Sequence, residues 1–364
     1  MYECEVESDG FDNRCVGYIR QNNNGILLGA SSLTGRYWFG SLWYYDKLDS
    51  VPDVEKCTAG VQLEAGLSDA RWIDATKVIV ALDTGGVAVW ELVDDFHTFV
   101  LSHSAIEHDD IVNRVSVSQD KKKAISCSND CRIKTWDLEN FTSTHCYKGH
   151  SDAITSIEYH PSENELFLTS SLDGRLLLWD TRKARPAKVV GKEPLKSLPT
   201  CVAWQPNTHN MAAIGDELGQ IIVKDIRMPT EDYKTILPHT RLVYRIEFNR
   251  QKPSLLASIG DDCRTVIASI DQDEITQLYK EMKHSDFVHG LSWYGSESIV
   301  TCGWDSTVYK HSISDVRENK QNITENVMEV NGDIHHDKQD LIESNKQSYS
   351  NALKSPSVKT EGKV

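Results

Sequence analysis

Several things are missing from these 364 residues. No apolar run comes near the roughly 20 residues that cross a bilayer as a helix. The first residues, Met1 to Asp9, are acidic and offer neither the basic start nor the apolar stretch of a secretory signal. A Gly-x-Ser-x-Gly elbow, a Gly-x-x-x-x-Gly-Lys phosphate loop and a dinucleotide fingerprint after a strand are all lacking. Their absence argues against the commonest hydrolase, nucleotide and hydride-transfer chemistries, so the expectation is a protein that is not an enzyme and needs no cofactor. Nine cysteines, an odd number scattered along the chain, read as reduced intracellular thiols rather than a disulfide framework. The sequons at Asn140 and Asn322 are then chance matches.

What is present is a repeat. At intervals of about 44 residues an apolar strand, a tight turn and a second strand ending in an aromatic residue return, a period and signature that predict four-stranded propeller blades. Aligned on the turn, the strand ends are Tyr45, Trp90, Trp136, Trp179, Lys224, Ala268 and His311. Seven copies predict an all-β, seven-bladed WD40-type β-propeller over residues 14–314. Some of residues 1–13 are expected to supply the outer strand of the last blade and so help close the ring, and 315–364 is expected to be a disordered polar tail. The tail has no Trp or Phe, and nine acidic and seven basic residues, too little apolar surface to offset its ordering entropy. Its Ser355-Pro356 pair is a weak phosphorylation signal.

Two residue types recur with the repeat. Asp130, Asp173, Asp262 and Asp305 stand six residues before their strand ends; His108, His150, His239 and His284 stand 27 to 29 before. Together with a Ser or Thr and with Trp90, Trp136 and Trp179 they are expected to form one buried hydrogen-bond network per blade, which makes these histidines structural. Blades ending in Lys224, Ala268 and His311, without the Trp, are expected to rely on packing alone. Cys127, Cys131, His145 and His150 nearly match a zinc-finger spacing, but a repeat strand runs between them where a finger needs a helix, so no metal is expected.

Charge points to partners. The chain carries −15, of which the tail holds only −2; such a surface repels phosphates and steers basic ligands, and direct nucleic-acid binding is not expected. One basic strip, Arg182, Lys183, Arg185, Lys188, Lys192 and Lys196, interrupts it. The first repeat departs most from the pattern. Between its second and third strands the sequence swells into Ser31-Ser-Leu-Thr-Gly-Arg-Tyr-Trp-Phe-Gly40, read as a long loop. Arg36, Tyr37, Trp38 and Phe39 combine the residue types that dominate interface energetics, and they are the expected partner-binding site.

The stretches Leu27–Trp43, Ala59–Gly66, Glu107–Val112, Leu176–Arg182 and Val300–Asp305 resemble the methylosome protein 50 family, the WD-repeat subunits of the methylosome. The resemblance spans about residues 14–312 and leaves the tail unmatched. It implies a non-catalytic propeller that binds a type II (symmetric dimethylarginine-forming) protein arginine methyltransferase in a hetero-octamer of four plus four subunits. It further implies contact through Arg36 and Trp38, a rise in enzyme activity, and help in presenting Arg-rich substrates such as spliceosomal Sm proteins and histone tails, in cytoplasm and nucleus. An alternative rests on Trp179-Asp180-Thr181-Arg182, which matches the Trp-Asp-x-Arg phrase of substrate receptors for cullin-based ubiquitin ligases.

Overall fold

In the computed structural model the described residues are 18–22, 25–34, 37–186, 188–190, 197–228, 234–270 and 274–314. The expected ring-closing segment, the polar tail, Arg36, Lys192 and Lys196 lie outside them. Seven antiparallel sheets follow one another in chain order. The first blade joins Tyr18–Asn22, Gly25–Thr34, Tyr37–Tyr45 and Ala59–Leu63. The next five span residues 67–106, 112–148, 154–189, 199–236 and 243–281 with four strands each. The seventh, 288–312, has three among the described residues. Each innermost strand lies against that of the following blade, and Val288–Tyr294 meets Tyr18–Asn22, so the ring closes. This is a seven-bladed β-propeller.

Burial explains the pattern of the strands. Second strands such as Lys123–Ser128 and Leu255–Gly260 are covered on both faces by neighbouring blades and read as almost continuous small or apolar runs. Outer strands such as Thr98–Ile106 face water over most of their length. The core is therefore divided into layers between blades, each an apolar sheet-on-sheet contact. Trp136 fills the layer between blades 2 and 3, against Ile79, Val89 and Phe141. Trp179 does the same between blades 3 and 4, against Ile125, Tyr147 and Phe167. All seven aligned strand ends fall in the third strand of their blades.

The turn between second and third strands needs a left-handed residue in blade after blade. Gly85, Gly174 and Gly219 hold it with φ of 82°, 75° and 88°, whereas Cys131, Cys263 and Ser306 hold it at 64°, 60° and 60°. A side chain there costs about 1–2 kcal/mol relative to glycine, partly offset because glycine loses more freedom on folding. Cys131→Gly and Cys263→Gly should each raise stability by about 0.5–1 kcal/mol, read as a higher urea midpoint; a lower one would show that the thiol's packing outweighs the strain.

Candidate partner-binding face

The recurrent histidines meet their partners at the rim of the turns. In blade 3, His108 Nδ1 lies 2.9 Å from Asp130 Oδ2, its Nε2 2.8 Å from Ser126 Oγ, and Trp136 Nε1 donates to the same Oγ at 2.9 Å. In blade 4 the set is His150, Asp173, Thr169 and Trp179, at 2.9, 2.8 and 2.9 Å. Burial pulls the His108 and His150 imidazoles below their ordinary range, against the pull of their aspartates. Burial pushes Asp130 and Asp173 up, but the bonds from histidine and turn N–H groups outweigh it and hold both carboxyls low. A neutral imidazole between a carboxylate and a hydroxyl makes a closed set of three bonds and three protons.

Loss of the Trp does not leave blades 5 to 7 to packing alone, which corrects the sequence expectation. His239 bonds Asp262 and Ser258 at 2.9 and 2.8 Å with Ala268 in the Trp position. In blade 5, Ser197 replaces the histidine and donates to Asp216, and Lys224 is buried. In blade 7, His284 bonds Asp305 and Thr301, and His311 Nε2 reaches the same Thr301 hydroxyl at 2.8 Å, as a Trp would. Trp90 is half-buried against the layer between blades 1 and 2, where Ala65-Gly66 precedes the blade and no histidine stands.

The swollen loop of the first repeat is not a loop. Gly25–Thr34 and Tyr37–Tyr45 pair without a break from Ile26↔Tyr45 to Leu33↔Trp38 and Thr34↔Tyr37, leaving only Gly35 and Arg36 between the strands. The outer strand stops pairing at Gly40, and among the described residues the inner strand pairs only from Gly25 to Gly29, so the hairpin runs on past its outer neighbour. The five residues from Ala30 to Thr34 add about 16 Å at the usual strand rise. A period-2 reading of Leu27 to Leu42 would have found this, but the consecutive Tyr37-Trp38-Phe39 run hides the alternation. Phe39 is half-buried; Tyr37 and Trp38 are fixed in register by the backbone.

The base of this hairpin is bolted to blade 2. Ser31 Oγ accepts from Leu67 N–H at 2.8 Å and bonds the Leu67 carbonyl at 3.2 Å. Gly40 N–H donates to Ala65 O at 2.8 Å. A Cβ on Gly40 would sit 2.6 Å from that oxygen, so only glycine fits. The first-blade stretch and Ala59–Gly66, two of the segments that carry the family resemblance, thus lock onto each other. Sequence reasoning did not pair Ser31 with Leu67, because one polar residue in an apolar run gives no sign of its partner.

Beside the hairpin base a cavity of about 450 Å³ opens at the mouth of the central channel, lined by Ser31, Ile111, Leu172, Tyr244 and Trp304 among others. The channel is bridged below it. Asp69 of blade 2 is fully buried and accepts from Arg245 Nη2 of blade 6 at 2.8 Å and from Val115 N–H at 3.2 Å. Arg114 of blade 3 crosses to the Tyr244 carbonyl at 3.1 Å, with its guanidinium 4.6 Å above the tyrosine ring. On the far side lies a second cavity of about 570 Å³.

The basic strip is partly spent within the molecule. Arg182 forms a two-pronged pair with Asp180 at 2.8 Å, and Lys188 Nζ donates to the carbonyls of Ile226 and Arg227 in the next blade. Of groups with metal-ligand chemistry, His160, Glu163 and His209 place donor atoms within 4.8 Å of one another. Both His160 nitrogens are engaged, Nε2 with the His209 carbonyl and Nδ1 with the Ser162 and Glu163 N–H groups, so the set does not fit a cation. His150 is equally committed, and Cys127 sits in an apolar layer where burial pushes its thiol up.

Known proteins match this arrangement over the whole ring. Methylosome protein WDR77 of Xenopus laevis is 34% identical over 301 residues, covering 82% of this chain and 89% of that one. The chain belongs to the family of methylosome WD-repeat subunits. Protein valois of Drosophila melanogaster is 24% identical over 316 residues, covering 80% and 84%. The WD domain, G-beta repeat profile matches residues 99–137 and 141–180, the two blades that close with a Trp-centred set. In this family member the other blades keep the fold while departing from that repeat. A chain of the COPII outer coat vertex on membranes, 14% identical with a TM-score of 0.69 over 82% of this chain and 83% of that one, shares the fold alone. No helix among the described residues is long and apolar enough to cross a membrane.

Proposed function

We propose that this methylosome subunit is a non-catalytic scaffold that docks a type II protein arginine methyltransferase through the first-blade hairpin. The observation that carries the reading is the hairpin itself, two strands that outrun their outer neighbour and are bolted at the base to blade 2. Tyr37, Trp38 and Phe39 on its second strand, with Arg36 preceding them in sequence, supply the aromatic and guanidinium chemistry of an interface anchor. A stiff arm loses little freedom on binding, which favours affinity. The assembly is a hetero-octamer of four enzymes and four propellers, in cytoplasm and nucleus. The acidic surface, −13 outside the polar tail, attracts Arg-rich substrates such as Sm proteins and histone tails and raises their local concentration beside the enzyme.

A ligase-receptor reading draws on Trp179-Asp180-Thr181-Arg182 and on 32% identity over 111 residues to DDB1- and CUL4-associated factor 10 of Xenopus tropicalis, 23% of that protein's length. Repeat geometry accounts for Trp179 and Asp180, and Arg182 folds back onto Asp180 just as Arg227 folds onto Asp225. Affinity purification of the full chain with mass spectrometry separates the two. Recovery of an arginine methyltransferase in near-equal amount is expected; a cullin adaptor in its place would reverse the assignment.

A further inference from the structure

Blade 7 carries a longer polar chain than any other described blade, and its protons do not add up. Asp305 lies 3.0 Å from His284 Nδ1; His284 Nε2 lies 2.8 Å from Thr301 Oγ1. Thr301 Oγ1 lies 2.8 Å from His311 Nε2, and His311 Nδ1 lies 2.6 Å from Tyr279 Oη. Tyr279 Oη lies 2.6 Å from Glu281 Oε2. Each of these contacts is a hydrogen bond only if a proton lies between the two atoms. Two neutral imidazoles, one threonine and one tyrosine supply four protons for these five bonds. With Asp305 and Glu281 ionised, one contact would bring two lone pairs to within 2.6–3.0 Å, which is repulsive. The Trp-centred chains of blades 3 and 4 balance, with three bonds and three protons each. The excess arises because His311 stands where those blades have Trp, and its second nitrogen reaches across to blade 6.

We propose that this chain holds one extra proton at neutral pH, making it a pH-sensitive latch between blades 6 and 7. With Glu281 ionised the proton rests on the imidazole pair; every bond is then made and the carboxylates are balanced. The surroundings are mixed. Lys283 pairs with Glu281 at 3.1 Å, the Thr307 hydroxyl donates to Asp305 at 2.7 Å and lies 3.2 Å from His284 Nδ1, the Ser285 N–H donates to Asp305, and the Tyr309 ring lies edge-on to both imidazoles. Burial, with Lys283 and His284, pulls His311 down towards about 3, and burial also lowers His284. Acting alone, these influences would expel the proton, but that leaves a bond without one inside a closed layer.

The sign follows from the extra proton. A folded state that binds a proton more tightly than the unfolded chain, whose imidazoles titrate near 6.5, keeps its full stability below that pH. It then loses up to tenfold in its folded-to-unfolded ratio per pH unit until the folded state gives the proton up. Two conservative changes remove the surplus. Tyr279→Phe leaves three bonds and three protons, and Glu281→Gln brings its own N–H donor. The experiment is urea unfolding of full-length protein from pH 6 to 9. Wild type is expected to fall with rising pH by close to one proton more than either variant. Nitrogen NMR at pH 7.5 should show His284 and His311 sharing one proton beyond the neutral pair. Equal pH slopes in all three proteins, or two neutral imidazoles at pH 7.5, would overturn the proposal. A variant too unstable for the titration leaves the wild-type NMR result to decide.

Discussion

Trp38→Ala is expected to weaken association with the methyltransferase by about 30-fold to nearly 1000-fold, the ~2–4 kcal/mol that truncating an aromatic interface anchor removes. The hairpin should survive the change. Its pairing from Ile26↔Tyr45 to Thr34↔Tyr37 is backbone to backbone, and its base is fixed by Ser31 and Gly40 rather than by the tip. Titration calorimetry with purified enzyme measures the loss, and an unaltered urea midpoint shows that the ring is intact. Arg36→Ala should cost less, because it leaves the aromatic run in place. Association of Trp38→Ala within twofold of wild type would rule the hairpin tip out as the anchor.

The second large effect concerns stability. Asp69→Ala should destabilise the ring by about 3–5 kcal/mol, because it removes a buried carboxylate that accepts from Arg245 Nη2 and from the Val115 N–H. The two residues are 176 positions apart and sit on facing sides of the ring. The loss therefore reports on closure rather than on one blade. Asp69→Asn, which keeps an acceptor, should lose less, and Asp69→Ala with Arg245→Met should recover much of the deficit, since removing both partners is far milder than removing one. Urea midpoints of the four proteins make the comparison. A loss below about 1 kcal/mol for Asp69→Ala would mean that water replaces the carboxylate without penalty.

Most of the architecture could be read from the chain because a propeller writes the same constraints repeatedly. Trp136, Trp179, His108 and His150 recur at one spacing because each blade must fill the same layer and satisfy the same turn. Where a blade solves the problem differently, the text is silent. Nothing in the sequence shows that His311 takes the role of Trp136, that Ser197 stands in for His150, or that Asp69 finds Arg245. Those pairings depend on closure, which brings together residues with no fixed separation. The hairpin is hidden in the sequence for a related reason. Its aromatic run breaks the two-residue alternation that marks a half-buried strand, and the pairing partner Leu33 is visible only once the register is known.

One consequence of the bridged channel remains. With Asp69 joined to Arg245 and Arg114 laid against Tyr244, the bore is a stoppered vessel. A peptide tail entering beside the hairpin would meet these two contacts before it reached the opposite cavity, which sets the two sides of the ring apart.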